Sequence, residues 1–367
     1  MKKALFSFLA ALLCVILWLL FPSTEEMDMP EATIPSATIP SATIPKATTA
    51  DGEAALTIHF IDVGQADCAL LESGGEYMII DGGNVDDGQM IVSYLKQHGI
   101  DSLSAVVCSH AHEDHVGGLP AILSVFKTDA VYAPVNNYDT KVFTDFVSKT
   151  KNQGLKVTIP TPGDKIPFGD VDVTVLGPVK KYEDPNNTSI ILKVSCGESD
   201  FLFTGDMEIL AENDMLDYWT DRVDWNVELL KVGHHGSETS SGYRLVYETN
   251  PTYGIISVGE DNSYDHPHEK PMSRLKDAGV LLLRTDLLGH VIVQTDGSEI
   301  TITWENQNAA PEDAIPAEPE VLYGNKKSKK LHTSDCNNAP SAQNRVEFSD
   351  YDEAIAAGYD PCDSCIG

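Results

Sequence analysis

The sequence predicts an α/β sandwich, two mixed sheets flanked by helices, with a metal centre on its strand ends and a small metal-stapled module behind it. Three observations predict it. Short apolar runs of strand length alternate with helical segments through one long stretch, residues 55–305. Motifs rich in histidine, aspartate and glycine follow several of those runs directly, so their side chains gather on one surface. Residues 321–367 then carry a His-x3-Cys and a Cys-x2-Cys pair after a proline-rich break.

At the N-terminus, Met1-Lys-Lys precedes an apolar stretch from Ala4 to Phe21, the length of a short membrane span or a signal h-region. No A-x-A cleavage site follows in Pro22-Ser-Thr-Glu-Glu, and Leu13 precedes Cys14 where a lipoprotein signal wants a small residue. An uncleaved anchor, residues 1–23, is favoured over a cleaved signal peptide, and the two lysines fit a cytoplasmic end. On either reading the protein is exported. Residues 24–54 hold a five-residue repeat, Ala32-Thr-Ile-Pro-Ser-Ala-Thr-Ile-Pro. Proline at every fifth position blocks helix and sheet and favours an extended spacer, standing the next domain off a membrane or through a cell wall.

The densest chemistry is His110-Ala-His112-Glu-Asp114-His115, three imidazoles and two carboxylates in six residues. It follows the strand-like run Leu103-Ser-Ala-Val-Val-Cys-Ser109 and precedes Val116-Gly-Gly-Leu-Pro, which opens a helix or turn. Histidine and aspartate are ligands that zinc, manganese and iron accept, and a polar loop meeting only solvent rarely concentrates them so. Asp62-Val-Gly-Gln and Asp81-Gly-Gly each end an alternating β-run where glycine permits a tight exit. Asp67 and Asp81 either orient metal-bound histidines or cap turns. Thr204-Gly-Asp206 ends another apolar strand, and His234-His235-Gly236-Ser237 follows the run Val227-Glu-Leu-Leu-Lys-Val232. Adjacent residues point in different directions, so one of His234 and His235 completes a metal's shell with Asp114 and His115. His266 lies in the turn-like Asn262-Ser-Tyr-Asp-His-Pro267. It either donates to an anionic substrate, or protonates a leaving oxygen, or is a turn residue without catalytic role. Ser189 and Ser237 are phosphate contacts or cap residues. A serine nucleophile is unsupported, since there is no G-x-S-x-G elbow.

The pattern H-x-H-x-D-H resembles the signature of the metallo-β-lactamase superfamily. Its companions, Asp62-Val-Gly-Gln65-Ala-Asp67, Asp81-Gly-Gly83, Asn186-Asn187-Thr-Ser189, Thr204-Gly-Asp206, Lys231-Val-Gly-His-His-Gly-Ser237, Asp265-His-Pro267 and Arg284-Thr-Asp286, resemble in order and spacing the hydrolase-like domain attached to the DNA-uptake channel protein ComEC. The likeness covers residues 55–305 and implies a four-layer αββα sandwich with metals at the open edge between the sheets. It implies Asp206 as a bridge between two metals, His110, His112, Asp114, His115, Asp206 and one of His234/His235 as ligands, and favours His234 slightly. Asp114, Asp206 and His266 are the candidate catalytic residues. One departure matters: no histidine occurs between His115 and Asp206, where many relatives place a ligand, and the interval carries Asn187 and Ser189 instead. The His110/His112 position is therefore loosely held, filled by an asparagine oxygen or water, or empty. Oxygen-rich coordination suits manganese as well as zinc, so the ion stays open. With one apolar span, the chain is no DNA transporter by itself.

After a linker, residues 306–320, comes a unit of about 45 residues, too small to hold a core without a staple. His332, Cys336, Cys362 and Cys365 offer four ligands at structural-zinc spacing, whereas a bridge inside Cys-x-x-Cys closes almost no loop. The segment resembles the metal-binding module of the DNA-repair protein Ada, found appended to secreted nucleases. It departs in having His332 where that pattern has cysteine, which puts any thiol-based repair role in doubt. Cys68, Cys108 and Cys196 read as buried small residues.

The formal net charge is −31, which opposes tight nonspecific binding to DNA. Lys326-Lys-Ser-Lys-Lys330 is a basic patch or a solvated turn. Three functions fit: an exported phosphodiesterase, foremost a nuclease, using a metal-activated water at a mono- or binuclear site; a phosphoester hydrolase acting on teichoic acid or phosphocholine of a cell wall; and a non-enzymatic exported binding protein with a vestigial metal site. The intact ligand set argues against the third, and oligomeric state is not legible.

Overall fold

Leu56–Phe60 (β1) shows how the layers arise: Leu56, Ile58 and Phe60 point into one core while the next residue, Ile61, packs into another. The computed structural model describes residues 54–311, 321–333, 336–348, 351–362 and 365–366. The apolar segment at 4–21, Cys14, the Thr/Pro repeat and residues 312–320 lie outside them. Met1–Ile44 and Pro45–Gly367 separate as two units, and every described residue is in the second. No helix among the described residues is long and apolar enough to cross a membrane.

The first sheet continues with Ala69–Ser73 (β2), Glu76–Ile80 (β3), Ser102–Val107 (β4), Lys127–Tyr132 (β5) and Val157–Thr158 (β6). The second is built from Lys165–Ile166 (β7), Asp172–Gly177 (β8), Ile191–Cys196 (β9), Ser199–Phe203 (β10), Leu229–Lys231 (β11), Tyr253–Ile256 (β12) and Leu281–Arg284 (β13). Val291–Thr295 (β14) and Ile300–Trp304 (β15) return to the first, giving the orders β15-β14-β1-β2-β3-β4-β5-β6 and β13-β12-β11-β10-β9-β8-β7. Both sheets are mixed: β3 to β6 and β10 to β13 run parallel, the remainder antiparallel.

The central strands are covered on both faces, so alternate residues feed different cores. Ile58, Leu71, Val107, Leu192, Phe201 and Leu229 fill the space between the sheets. Leu70, Ile79 and Val106 face the helices Gly88–Gln97 (α1), Leu119–Val125 (α3) and Lys141–Asn152 (α4), the short Glu113–Val116 (α2) lying between. Ile191, Leu202 and Leu230 face Ile209–Trp219 (α5), Tyr243–Thr249 (α6) and Glu269–Asp277 (α7). This is the αββα sandwich. The parallel strands β4, β10 and β11 end on one edge, and the segments that leave them carry His110, Asp206 and His234-His235.

The C-terminal module is a four-stranded sheet of Leu322–Asn325 (β16), Lys330–His332 (β17), Arg345–Phe348 (β18) and Asp360–Pro361 (β19), ordered β18-β16-β17-β19, after one helical turn Thr285–Leu288 (α8) in the main domain and with helix Tyr351–Ala356 (α9). Leu322, Leu331, Phe348, Tyr351, Tyr359 and Ile366 share one small core with Tyr243 of α6, and the Tyr247 and Tyr351 rings stack at 5.2 Å.

Candidate metal centre

Two consecutive glycines let the H-x-H-x-D-H segment sit where it does. The α2 backbone passes so close to the Asp81-Gly82-Gly83 turn that a Cβ on Gly118 would lie 2.2 Å from the Gly82 carbonyl oxygen. The Gly82 amide donates to the His115 carbonyl at 2.7 Å and the Gly118 amide to that of Gly82 at 3.0 Å. Asp81, itself at φ 60°, accepts from the Ser109 amide at 2.6 Å and holds His115 Nδ1 at 2.9 Å. That contact fixes the ring so that Nε2 faces the centre. Burial pushes the Asp81 carboxyl up; His115 opposes it.

Four side chains converge there: Asp114, His115, Asp206 and His235 place one ligand atom each within 4.8 Å of one another. His115 Nε2 is 3.2 Å from Asp206 Oδ1, and His235 Nε2 is 3.3 Å from Asp114 Oδ2. His115 Nε2, His235 Nε2 and Asp206 Oδ1 are all buried, yet none makes a hydrogen bond. Buried polar atoms are normally partnered. Two imidazole nitrogens and one Asp206 oxygen left without partners, with Asp114 beside them, form the donor set of a divalent cation. Electrostatics agree. Burial disfavours charge on His115 and His235, but Asp206 overrides it, helped by Asp81 at His115 and by Asp67 at His235. His115 is raised well above the imidazole range and His235 to about 10. Against the same burial, His115 and His235 hold Asp206 well below the carboxylate range; His115 and the neighbouring His235 hold Asp114 at about 2. A proton on each ring occupies the place where a metal's charge belongs.

The adjacent histidines are divided by backbone geometry. His234 and His235 both adopt left-handed conformations, φ 51° and 54°, so their rings leave the turn on different sides. His235, 1% exposed, joins the four-ligand cluster; His234, slightly favoured by family pattern, lies instead with Nε2 3.6 Å from Asp206 Oδ2. His110 Nε2 approaches the same Oδ2 at 3.7 Å and His112 Nδ1 at 3.1 Å. Burial, then the neighbouring His115, keeps His110 well below the usual imidazole range.

The remaining predicted residues sort by what they touch. Asp67 accepts from Lys231 Nζ at 2.9 Å and lies 3.3 Å from His235 Nδ1, which also faces the Ser257 carbonyl at 2.9 Å. Its burial would raise it, but Lys231 and then His235 carry it well below the carboxylate range. Asn187 is engaged both ways by Glu208, at 3.0 and 3.1 Å, so its amide is turned away from the ligands. Ser189 Oγ donates to the Asn186 carbonyl at 2.7 Å and accepts from the Asp206 amide at 3.1 Å, bracing the Asp206 turn. Ser237 Oγ pairs with Thr239 at 3.1 Å within its own loop. His266 stands beside the centre, its ring 5.7 Å from that of His234, with burial and then His235 lowering it to about 4.

Lys231 and Gln65 enter the site without having been singled out from sequence. Lys231 is 4% exposed at the end of β11, and a lysine closing an apolar strand is the signal that would have found it. Gln65 Oε1 accepts from the Gly259 amide at 3.1 Å, so its NH2 group faces His266 Nδ1 at 3.3 Å. In the C-terminal module, His332, Cys336, Cys362 and Cys365 also bring four ligand atoms within 4.8 Å, and the three cysteines are unbridged. Cys68, Cys108 and Cys196 are free and buried.

The chain belongs to the metallo-beta-lactamase superfamily, whose family model matches residues 61–260. It is 27% identical over 255 residues to ComE operon protein 3 of Bacillus subtilis (strain 168), covering 64% of this chain and 32% of that one. It is 30% identical over 240 residues to competence protein ComA of Neisseria gonorrhoeae, covering 65% and 32%. The chain thus spans about a third of the length of the curated relatives it matches. Among solved structures it is similar to the metallo-beta-lactamase fold protein YhfI from Bacillus subtilis, 13% identical with a TM-score of 0.42, covering 62% of this chain and 95% of that one.

Proposed function

We propose that this chain is an exported metal-dependent phosphodiesterase whose substrate is nucleic acid. The observation that carries the reading is the set of unpartnered, buried ligand atoms on His115, Asp206 and His235 beside Asp114. Those four residues would hold a divalent ion, zinc or manganese, which when bound draws the pKa of water from near 16 toward roughly 7 and polarises a phosphoryl oxygen. The chain's own groups do the rest. Asp81 and the Ser257 carbonyl keep the Nδ1 protons of His115 and His235 in place, so that each Nε2 lone pair is free for the ion. Gln65 donates to His266 Nδ1, which leaves the imidazole proton on Nε2; a ring lowered to about 4 is neutral near pH 7. His266 therefore serves as a neutral hydrogen-bond donor to an anionic substrate rather than as an acid.

The nucleic-acid assignment is supported by the ComEC-like motif order and by the competence proteins among the relatives. The apolar stretch at 4–21, read as part of an anchor, and the Thr/Pro repeat, read as a spacer, support an extracellular position. The −31 charge favours a second reading, a phosphoester of a cell-wall polymer, because an acidic surface repels long polyanions. The purified chain, reconstituted with manganese or zinc, decides between them. Offered single-stranded DNA, duplex DNA, bis-p-nitrophenyl phosphate and p-nitrophenyl-phosphocholine, it is expected to cleave DNA, and Asp206→Ala to abolish that. Hydrolysis of the small esters alone moves the assignment to the wall polymer. No turnover of any of the four, with metal bound, removes the hydrolase reading.

A further inference from the structure

One loop leads from the metal centre to the helix on which the C-terminal module sits, and two buried charged side chains grip it. We propose that Glu212 and Arg274 are positioning residues for His235, and that the C-terminal module, by seating Arg274 on Tyr243, holds the metal centre in its binding geometry. This rests on the reading that Asp114, His115, Asp206 and His235 hold an ion.

Residues 236–242 run from His235 to α6. Glu212, buried on α5, accepts from the Ser241 amide at 2.6 Å and from the Gly242 amide at 2.8 Å. Arg274, buried on α7, donates from Nη1 to the Ser240 and Ser241 carbonyls at 3.4 and 3.3 Å. One carboxylate thus holds the loop by its amides and one guanidinium holds it by its carbonyls. A buried charge is costly unless its surroundings satisfy it, and here the loop backbone does so. Burial lifts the Glu212 carboxyl to about 7, against the opposing pull of the Gly242 and Ser241 amides and of Arg274.

The grip reaches the ligand turn itself. Ser241 Oγ accepts from the Gly233 amide at 3.3 Å, directly before His234, and Ser240 Oγ donates to the carbonyl of Met207, next to Asp206, at 2.8 Å. Ser241 has φ 52°, and His234 and His235 have φ 51° and 54°. Non-glycine residues keep such left-handed backbones only where their surroundings impose them. From the module's side, flat groups succeed one another. Tyr351 lies on Tyr247 at 5.2 Å and Tyr247 on Tyr243 at 6.3 Å, with interplanar angles of 17° and 9°. The Arg274 guanidinium then lies 5.1 Å from the Tyr243 ring, a cation held over an aromatic face. Tyr351 shares its core with Leu331, Phe348 and Ile366, and Cys365 of the ligand cluster packs against that core. When the module loses its metal its small core loosens, and Arg274 loses the platform on which it rests. The sandwich keeps its own three cores, so what changes is the aim of His235.

The test compares Mn2+ affinity at the centre by calorimetry and electron paramagnetic resonance. It uses the full chain with zinc in its cysteine–histidine cluster, at about pH 8, above the Glu212 titration. Arg274→Met is expected to weaken Mn2+ binding about tenfold, the lower end for groups that orient a ligand, and Arg274→Lys, which keeps the charge, by less. Glu212→Gln, of the same shape without the charge, is expected to weaken it too. Cys362→Ser/Cys365→Ser, which empties the module, is expected to match Arg274→Met. Phe146→Leu, in the core between α4 and the first sheet, controls for lost stability: it is expected to lower the melting temperature and leave Mn2+ affinity unchanged. Wild-type affinity in Arg274→Met or in the cysteine variant overturns the proposal, and so does equal weakening in Phe146→Leu. A wild type that binds no Mn2+ refutes the four-ligand centre itself, and the positioning role with it.

Discussion

Lys231 is a charged residue at the end of an apolar strand, and its partner Asp67 is 164 positions away in sequence, so nothing local announces the pair. Both side chains are under a tenth exposed. Removing one partner leaves the other charge buried and unpaired, whereas removing both leaves neither. Lys231→Met is therefore expected to lose about 3–5 kcal/mol of stability, much of it recovered in Lys231→Met/Asp67→Asn, as read by urea denaturation. A single variant within about 1 kcal/mol of wild type contradicts a paired charge there. The protonation of the centre sets a second prediction, for the metal-free chain. His235, raised from 6.5 to about 10, contributes stability that is whole below pH 6.5 and lost as pH climbs to about 10. His59 and His266, lowered to about 4 chiefly by burial, contribute stability present above pH 6.5 and lost as pH falls toward 4. Stability in a chelator is thus expected to peak near pH 6.5 and decline on both sides, and steady gain from pH 6.5 to 9 contradicts the arrangement.

At the scale of elements, the tightest joint is α2 and α3 against the Asp81-Gly82-Gly83 turn. A methyl at Gly118 meets backbone on Gly82 and Gly88, which have no flexible end to yield. Gly118→Ala is expected to cost about 1–3 kcal/mol and to weaken metal binding by moving His115 off Asp81, measured by thermal melts with and without Mn2+. Unchanged melting and affinity would mean that the turn tolerates a shift. How legible these elements are follows from how local their signals are. The runs before His110, Asp206 and His234 are strands because alternate residues such as Val106 and Val107 serve two different cores, and apolar runs state that directly. The H-x-H-x-D-H segment likewise declares a metal site within six residues. Which of His234 and His235 joins Asp114 depends on two left-handed dihedrals, and the occupation of Asn187 depends on Glu208, 21 positions on. Neither is written in neighbouring residues. Gln65 and His266, 201 positions apart, meet only because the two sheets close.

Across the whole molecule, a large core and a small one meet at α6, where Tyr243 is shared and Tyr247 stacks on Tyr351. The large sandwich has three extended apolar clusters, whereas the module has one cluster beside its Cys3His group. Small cores of that kind draw folding energy from a bound metal. Cys362→Ser/Cys365→Ser is expected to melt the module in a separate, earlier calorimetric transition while the sandwich keeps its own; one unchanged transition contradicts a metal staple. The central claim, that Asp114, His115, Asp206 and His235 bind the ion on which hydrolysis depends, is tested most directly by joint measurement of metal content and bis-p-nitrophenyl phosphate turnover in wild type and His235→Ala. The account predicts that the variant stays folded, carries fewer ions outside its C-terminal module and loses turnover by about 100-fold or more. Full metal content with wild-type turnover in His235→Ala would contradict it.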